Sequence, residues 1–192
     1  KIASDAVTTE KLHVLAKNKI NNFSITGTLE GWSTGTLEDD ASGFKKLRFS
    51  GNLQSNIFTV QPNEICSFEF GIACPNYTSL SGMFVGLTEG QSFRRYAWSF
   101  VTNKWITSSV SSNAYFISDY KATTVKYFKT YILGSNVSID DIPAPSATDT
   151  TYEIRALQLQ GTDTTARLRT GFNPITPGTY WELYNPQIYS NQ

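Results

Sequence analysis

Histidine, methionine and cysteine are almost missing from this chain, and each shortage narrows the chemistry open to it. One histidine, His13, and one methionine occur among 192 residues. A Ser-His-Asp arrangement therefore has a single possible base, placed far toward the N-terminal end. The two cysteines, Cys66 and Cys74, share the run Ile65-Cys66-Ser67-Phe68-Glu69-Phe70-Gly71-Ile72-Ala73-Cys74. If that run is one strand, their Cα atoms stand roughly 26 Å apart at ~3.3 Å per residue. A disulfide needs about 4.4–6.8 Å, so both are expected as buried, reduced thiols. There is no Gly-x-Ser-x-Gly, His-Glu-x-x-His, phosphate loop or Cys-x-x-Cys. Charge is scarce too: charged residues are 17% of the chain, against roughly 25% in an average soluble domain. Sixteen basic and sixteen acidic residues cancel. A chain without net charge gains little from phosphates or an anionic lipid surface, which argues against nucleic acid and against a membrane partner. No apolar run approaches the roughly 18 residues of a membrane-spanning helix, so no membrane insertion is expected. No internal repeat appears, which excludes solenoids and propellers.

What the chain does have is apolar and aromatic mass, at 40% and 14% of residues. That supplies one real core, and the length suits one domain with a short appendage. The chain opens at Lys1 rather than Met, and is expected to be a piece of something longer. Residues 1–20 differ from the rest. Thr8 or Thr9 is placed to cap a helix with Glu10 in its first turn and Lys11, Lys17 and Lys19 toward its end. Leu12, Leu15 and Ala16 form one apolar stripe, with Ile2, Ala6 and Val7 ahead of them. So short a helix is marginal alone and needs a neighbour or copies of itself.

From Asn21 onward, short apolar or alternating runs recur about every ten residues between Gly, Asn, Ser and Pro. They predict strands at 22–26, 46–50, 56–60, 64–73, 82–87, 94–101, 104–107, 114–118, 124–133, 151–159, 166–170 and 179–189. Phe68, Phe70 and Ile72 alternate with Ser67, Glu69 and Gly71, as in a strand with one buried face. Thr102-Asn103 reads as a tight hairpin turn. The Ser-rich segment 108–113 and Pro143-Ala144-Pro145 read as loops. Many short strands without helices predict an all-β fold, a jelly-roll β-sandwich over 21–192 behind a helical segment over 1–20.

Sugar recognition needs flat rings for C–H faces and polar groups for hydroxyls, and Tyr and Trp supply both at low entropic cost. The densest cluster is Phe93-Arg94-Arg95-Tyr96-Ala97-Trp98, with Trp105 across the hairpin. Strand parity puts Tyr96, Trp98 and Phe100 on one face and Arg95, Ala97 and Ser99 on the other. The competing reading makes Tyr96 and Trp98 core, with Arg94 and Arg95 as solvated edge charges. Tyr77, Tyr115, Tyr120 and Trp32 are further surface candidates. Asp39-Asp40 and Asp140-Asp141 are oxygen-rich loops without the ligand spacing of a calcium loop. They are read as solvated turns, and no metal or cofactor is expected. A glycosidase needs two carboxylates flanking one bond. Folding could bring Glu69 to Glu153 or Glu182, but nothing in the sequence requires it, so no catalytic residue is assigned. The sequons at Asn22, Asn76 and Asn136 are uninformative in so Ser/Thr/Asn-rich a chain.

Ile2-Ala3-Ser4-Asp5-Ala6-Val7-Thr8-Thr9-Glu10-Lys11-Leu12 resembles the stalk repeats of bacteriophage tail-fibre and tail-tip proteins, where such units precede trimeric stretches. The remainder resembles the carbohydrate-binding-module type of jelly roll found at such fibre ends. Its landmarks are Leu29-Glu30-Gly31-Trp32, Phe58-Thr59-Val60-Gln61-Pro62-Asn63-Glu64, Ala166-Arg167-Leu168-Arg169, and Gly178-Thr179-Tyr180-Trp181-Glu182-Leu183-Tyr184-Asn185-Pro186-Gln187-Ile188-Tyr189. Where these modules carry an acidic pair in the last strand, this chain has Asn185-Pro186, which weakens any transfer of their calcium site. The resemblance implies a trimerising stalk end and a receptor-binding domain at the virion's tail tip. That domain would be non-catalytic and hold a bacterial lipopolysaccharide or capsule, or an outer-membrane receptor, as a homotrimer. It would carry its ligand on Arg94, Arg95, Tyr96, Trp98, Trp105, Tyr115 and Tyr120. Three other classes stay open: a fibre cap without ligand, a polysaccharide depolymerase, and a binding module appended to a cellular hydrolase.

Overall fold

A computed structural model describes residues 18–76, 83–88, 92–110, 123–145, 155–172 and 178–191. The strands are β1 (Thr36–Asp39), β2 (Lys45–Phe49), β3 (Leu53–Thr59), β4 (Ile65–Ala73), β5 (Met83–Thr88), β6 (Phe93–Ser99), β7 (Lys104–Val110), β8 (Lys126–Leu133), β9 (Arg155–Leu159), β10 (Thr165–Phe172) and β11 (Trp181–Ser190). They form two sheets of a sandwich, one of eight strands ordered β1-β2-β11-β4-β8-β9-β6-β7 and one ordered β3-β10-β5. The all-β jelly-roll sandwich expected from the sequence is the fold observed. Every described strand pair is antiparallel except β8 with β9.

Alternation places Phe68, Phe70 and Ile72 of β4 on the inner face, opposite Thr130 and Phe128 of β8 and beside Leu183 of β11. With Leu87, Leu168, Phe93 and Trp181 they make one continuous core. Phe68 and Phe70 stack at 4.7 Å, and Phe70 and Phe128 at 5.5 Å. Cys66 and Cys74 are free and buried, as expected. Burial lifts their thiols to about 12 and about 11, so both stay protonated and poorly nucleophilic at neutral pH.

Residues 22–26 form a single helical turn, α1 (Phe23–Thr26), rather than a strand. The Asn22 side chain accepts the Ser24 N–H, and Gly27, at φ 69°, donates its N–H to the Phe23 carbonyl. Asn before and Gly after outweigh the β-branched Ile25 and Thr26. Strand β1 was not foreseen, because Thr-Leu-Glu-Asp is short, acidic and half exposed, as suits a sheet edge. The β6–β7 connection takes four residues, 100–103, instead of the two expected, with Ser99 paired to Lys104 and Asn103 at φ 50°. Trp98 still pairs with Trp105. The expected strand at 114–118 and the stalk helix up to residue 17, His13 included, lie outside the described residues.

Residues 18–20 are tied to the sandwich. Asn18 bridges Tyr189 and accepts the Ile188 N–H at 2.9 Å. The Lys19 ammonium meets the buried Glu64 carboxylate at 2.8 Å and the Thr59 carbonyl at 2.7 Å. Burial pushes the Glu64 carboxyl up, but bonds from Lys19, the Gln61 N–H and Ser190 outweigh it and hold it below the ordinary 4.5. A depressed carboxyl stabilises the fold above its unfolded value, and that gain is lost as pH falls through the folded value. Glu64→Gln is therefore expected to cost about 1–3 kcal/mol at neutral pH. In urea unfolding, the gap between the two proteins should begin to close as pH falls below the ordinary 4.5 and vanish below the folded value.

A second cluster sits on the outer face of the large sheet. Leu133, Tyr96 and Ala156 are covered by Val137 and Ile142 from the segment 134–145, with Trp105 and Tyr131 at its margin. One end of this outer face is thus roofed. At the other end, built by β2, β11, β4 and the start of β8, Tyr127 and Lys129 are exposed.

Candidate functional site

Register and alternation put Glu69 and Gly71 of β4, Tyr127, Lys129 and Tyr131 of β8, and Glu182, Tyr184, Gln187 and Tyr189 of β11 on the outer face. Gly71 pairs with Tyr127 on one side and Tyr184 on the other. A Cβ at Gly71 would lie 2.7 Å from Tyr127 Cε1 and 3.0 Å from Tyr184 Cβ, so the missing side chain is what lets the Tyr127 ring lean over the strand. Tyr127, near the start of β8 and ahead of its pairing with β9, is 65% exposed. Beside it a cavity of about 320 Å³ is lined by Glu69, Phe70, Tyr127, Phe128, Lys129 and Asn185.

Asn185 reaches this cleft through a bulge. The β11–β4 register shifts between Tyr184 and Gln187, and Asn185 takes φ 45°. Pro186 has no N–H for a ladder, so a bulge is where the strand tolerates it. Asn185 is locked from behind: its N–H donates to Ser24 Oγ at 2.8 Å, and its Oδ1 accepts from Asn22 Nδ2 at 2.8 Å. The α1 turn therefore holds one wall of the cleft.

The charges nearby are paired. Glu69 accepts the Tyr189 hydroxyl at 2.7 Å and faces Lys129 Nζ at 3.5 Å. Glu182 accepts from Tyr184 and from Lys46 Nζ at 2.8 Å. Arg48 reaches Glu38 at 3.5 Å and lies over the Tyr180 ring at 3.7 Å. Burial, then the bond to Glu69, lifts the Tyr189 phenol to about 12; burial and Glu182 lift Tyr184 likewise. Both phenols are fixed donors at neutral pH.

The residues singled out from sequence fall mostly at the roofed end. Tyr96 is buried, its hydroxyl donating to Gln158 Oε1 at 3.1 Å. Trp98 and Trp105 are half-buried and meet edge to face at 5.3 Å. Arg94 is exposed on the same face as Tyr96 and Trp98, and Arg95 is half-buried on the other face of β6. Trp32 belongs to the core: it is 8% exposed, its Nε1 donates to the Asn21 carbonyl, and its ring meets Phe23 at 5.5 Å. Tyr77, Tyr115 and Tyr120 lie outside the described residues. Sequence reasoning passed over Tyr127, Gly71, Tyr184 and Tyr189. The signal was legible in β8, where Tyr127, Lys129 and Tyr131 alternate with Phe128, Thr130 and Ile132.

The acidic pairs do turn and edge work. Asp39 pairs with Lys45, and Asp40 accepts from the Ser42 N–H and hydroxyl and the Phe44 N–H. Asp140 and Asp141 lie in a 3-10 turn capped by Ser138. Among the described residues no three His, Cys, Asp or Glu side chains converge as metal ligands do.

No protein-family model and no curated protein matches this chain. Among solved structures it is similar to the enzymatically active domain of tailspike protein 4 of bacteriophage CBA120, at 9% identity and TM-score 0.42. It is also similar to an arabinose-bound α-L-arabinofuranosidase, at 11% and 0.44, and to a carbohydrate-binding module in complex with β-1,4-galactotriose, at 6% and 0.36. The likeness covers 90%, 91% and 91% of this chain. It spans only 21% and 26% of the tailspike and arabinofuranosidase chains, and 99% of the binding module.

Proposed function

We propose that this chain is the receptor-binding domain of a phage tail fibre, holding a saccharide of the bacterial surface as a homotrimer without cutting it. The observation that carries the saccharide reading is the exposed Tyr127 ring over Gly71, beside a cleft that offers a carboxylate, an ammonium and an amide. That is the pairing of apolar face and directional polar groups a sugar ring requires. The resemblance of residues 2–12 to fibre stalk repeats supports the viral setting and the trimer. A shallow open cleft binds weakly, and three linked copies multiply avidity by roughly 10²–10⁴.

The non-catalytic reading is supported by how the two outer-face carboxylates are engaged: Glu69 accepts the Tyr189 hydroxyl and faces Lys129, and Glu182 accepts from Tyr184 and Lys46. Release of reducing ends from a bound polysaccharide would overturn this part.

Two measurements test the whole. Light scattering on a sizing column should give three times 21.4 kDa; a monomer would contradict the trimer. In flow cytometry over a panel of bacterial strains, the labelled protein should bind some strain saturably, and Tyr127→Ala should weaken each site about tenfold. Adhesion unchanged by Tyr127→Ala but abolished by Trp98→Ala with Trp105→Ala would move the site to the roofed end.

A further inference from the structure

The charge pairing around the cleft bears on which saccharides it takes. We infer that the cleft binds neutral sugars through two adjacent hydroxyls, across Glu69 and Lys129, and disfavours uronate, sialate or phosphate-bearing sugars. This rests on the saccharide reading above and narrows it.

Lys129 Nζ and Glu69 Oε1 stand 3.5 Å apart, with side chains 54% and 36% exposed. That is longer than the about 2.7–3.2 Å of a made N–H···O bond. An exposed pair so loose contributes little, so exchanging it for ligand bonds costs little. One face of Glu69 is already fixed, since Oε1 accepts the Tyr189 hydroxyl. Among the described residues no hydrogen bond ends on Oε2. A sugar hydroxyl donating to Oε2 while its neighbour accepts from Lys129 would make two charge-assisted bonds at one diol. Asn185 also lines the cleft, with its Oδ1 held by Asn22. The Tyr127 ring offers the apolar face.

Among the described residues, the outer-face cations beside the cleft are each already opposed by a carboxylate. Lys129 is opposed by Glu69, Lys46 by Glu182 and Glu38, and Arg48 by Glu38. A carboxylate brought to Lys129 would also stand beside Glu69, and like charges in contact select against that partner.

The test prints purified bacterial polysaccharides as an array, neutral polymers beside uronate-, sialate- and phosphate-bearing ones, and probes it with the full chain. The bound polymers should be neutral, with affinity changing less than about twofold between roughly 50 and 500 mM salt. Glu69→Gln and Lys129→Met, melting as the parent does, should each lose about tenfold. Preference for an acidic polymer with steep salt dependence would overturn the inference while leaving saccharide binding intact. Neutral binding untouched by both substitutions would overturn the assignment to Glu69 and Lys129. Binding to no polymer of either class would overturn the saccharide reading and this inference with it.

Discussion

Gly134→Ala is expected to be strongly damaging for a change of one methyl group, costing about 3 kcal/mol or more. Gly134 follows β8 and lies against the turn that leads into β4. An added Cβ would stand 2.0 Å from the Gln61 carbonyl oxygen and 2.4 Å from that of Pro62. Both obstacles are backbone, so no rotamer change relieves them. The turn is also fixed by the Gly134 N–H to the Glu64 carbonyl and the Asn136 N–H to the Pro62 carbonyl. Urea unfolding checks the size, and melting should fall by roughly 6–12 °C. Gly161→Ala is the contrast: its φ of 64° strains an alanine, but nothing lies within 4 Å. Its cost should stay near the roughly 1–2 kcal/mol of one left-handed residue. Equal effects at the two positions would contradict the close approach.

Gln158→Leu should rank second, at about 3 kcal/mol, and should uncover the roofed end of the outer face. Gln158 is 5% exposed and serves three partners. Its Oε1 accepts the Tyr96 hydroxyl, and its Nε2 donates to the Val137 carbonyl at 2.6 Å and the Gly134 carbonyl at 3.2 Å. Leucine keeps the volume and leaves a buried hydroxyl and two carbonyls without that partner, the costly side of a buried hydrogen bond. Since these bonds clamp segment 134–145 over Tyr96 and Leu133, their loss should raise amide exchange at residues 137–142 above that of β4. The Trp105 environment should become wetter in fluorescence. A variant with wild-type stability and exchange would show that apolar contacts of Val137 and Ile142 alone hold the roof.

The fold was legible because its long strands carry their own period. Phe68, Phe70 and Ile72 alternate cleanly, and Tyr127 to Leu133 is β-branched and aromatic without helical spacing. Where local chemistry is short, reading failed. Four residues of α1 are decided by Asn22 and Gly27 on either side, and β1 exists only because β2 offers it an edge. The site was harder, for a topological reason. Aromatic density along the chain points to Tyr96, Trp98 and Trp105, but the sheet order brings segment 134–145 over that end. The open end draws Gly71, Tyr127 and Tyr184 from three strands that are neighbours in space and distant in sequence. Gly71 carries no sequence signal at all, since its role is the room it leaves between two rings.

The central claim is that a saccharide sits on the open half of the large sheet, over Gly71. Gly71→Ala tests it most directly, because it displaces the Tyr127 ring beside the cleft without removing any group that would bond a ligand. Its Cβ meets the ring edge of Tyr127 at 2.7 Å, which can turn away, and lies 3.0 Å from Tyr184 Cβ, so the chain should fold with the ring displaced and with some loss of stability. Titrating a polysaccharide bound by the parent into Gly71→Ala, at a temperature where both are folded, should show affinity lowered about tenfold. Full affinity in Gly71→Ala, with binding lost instead in Trp98→Ala or Trp105→Ala, would contradict the account.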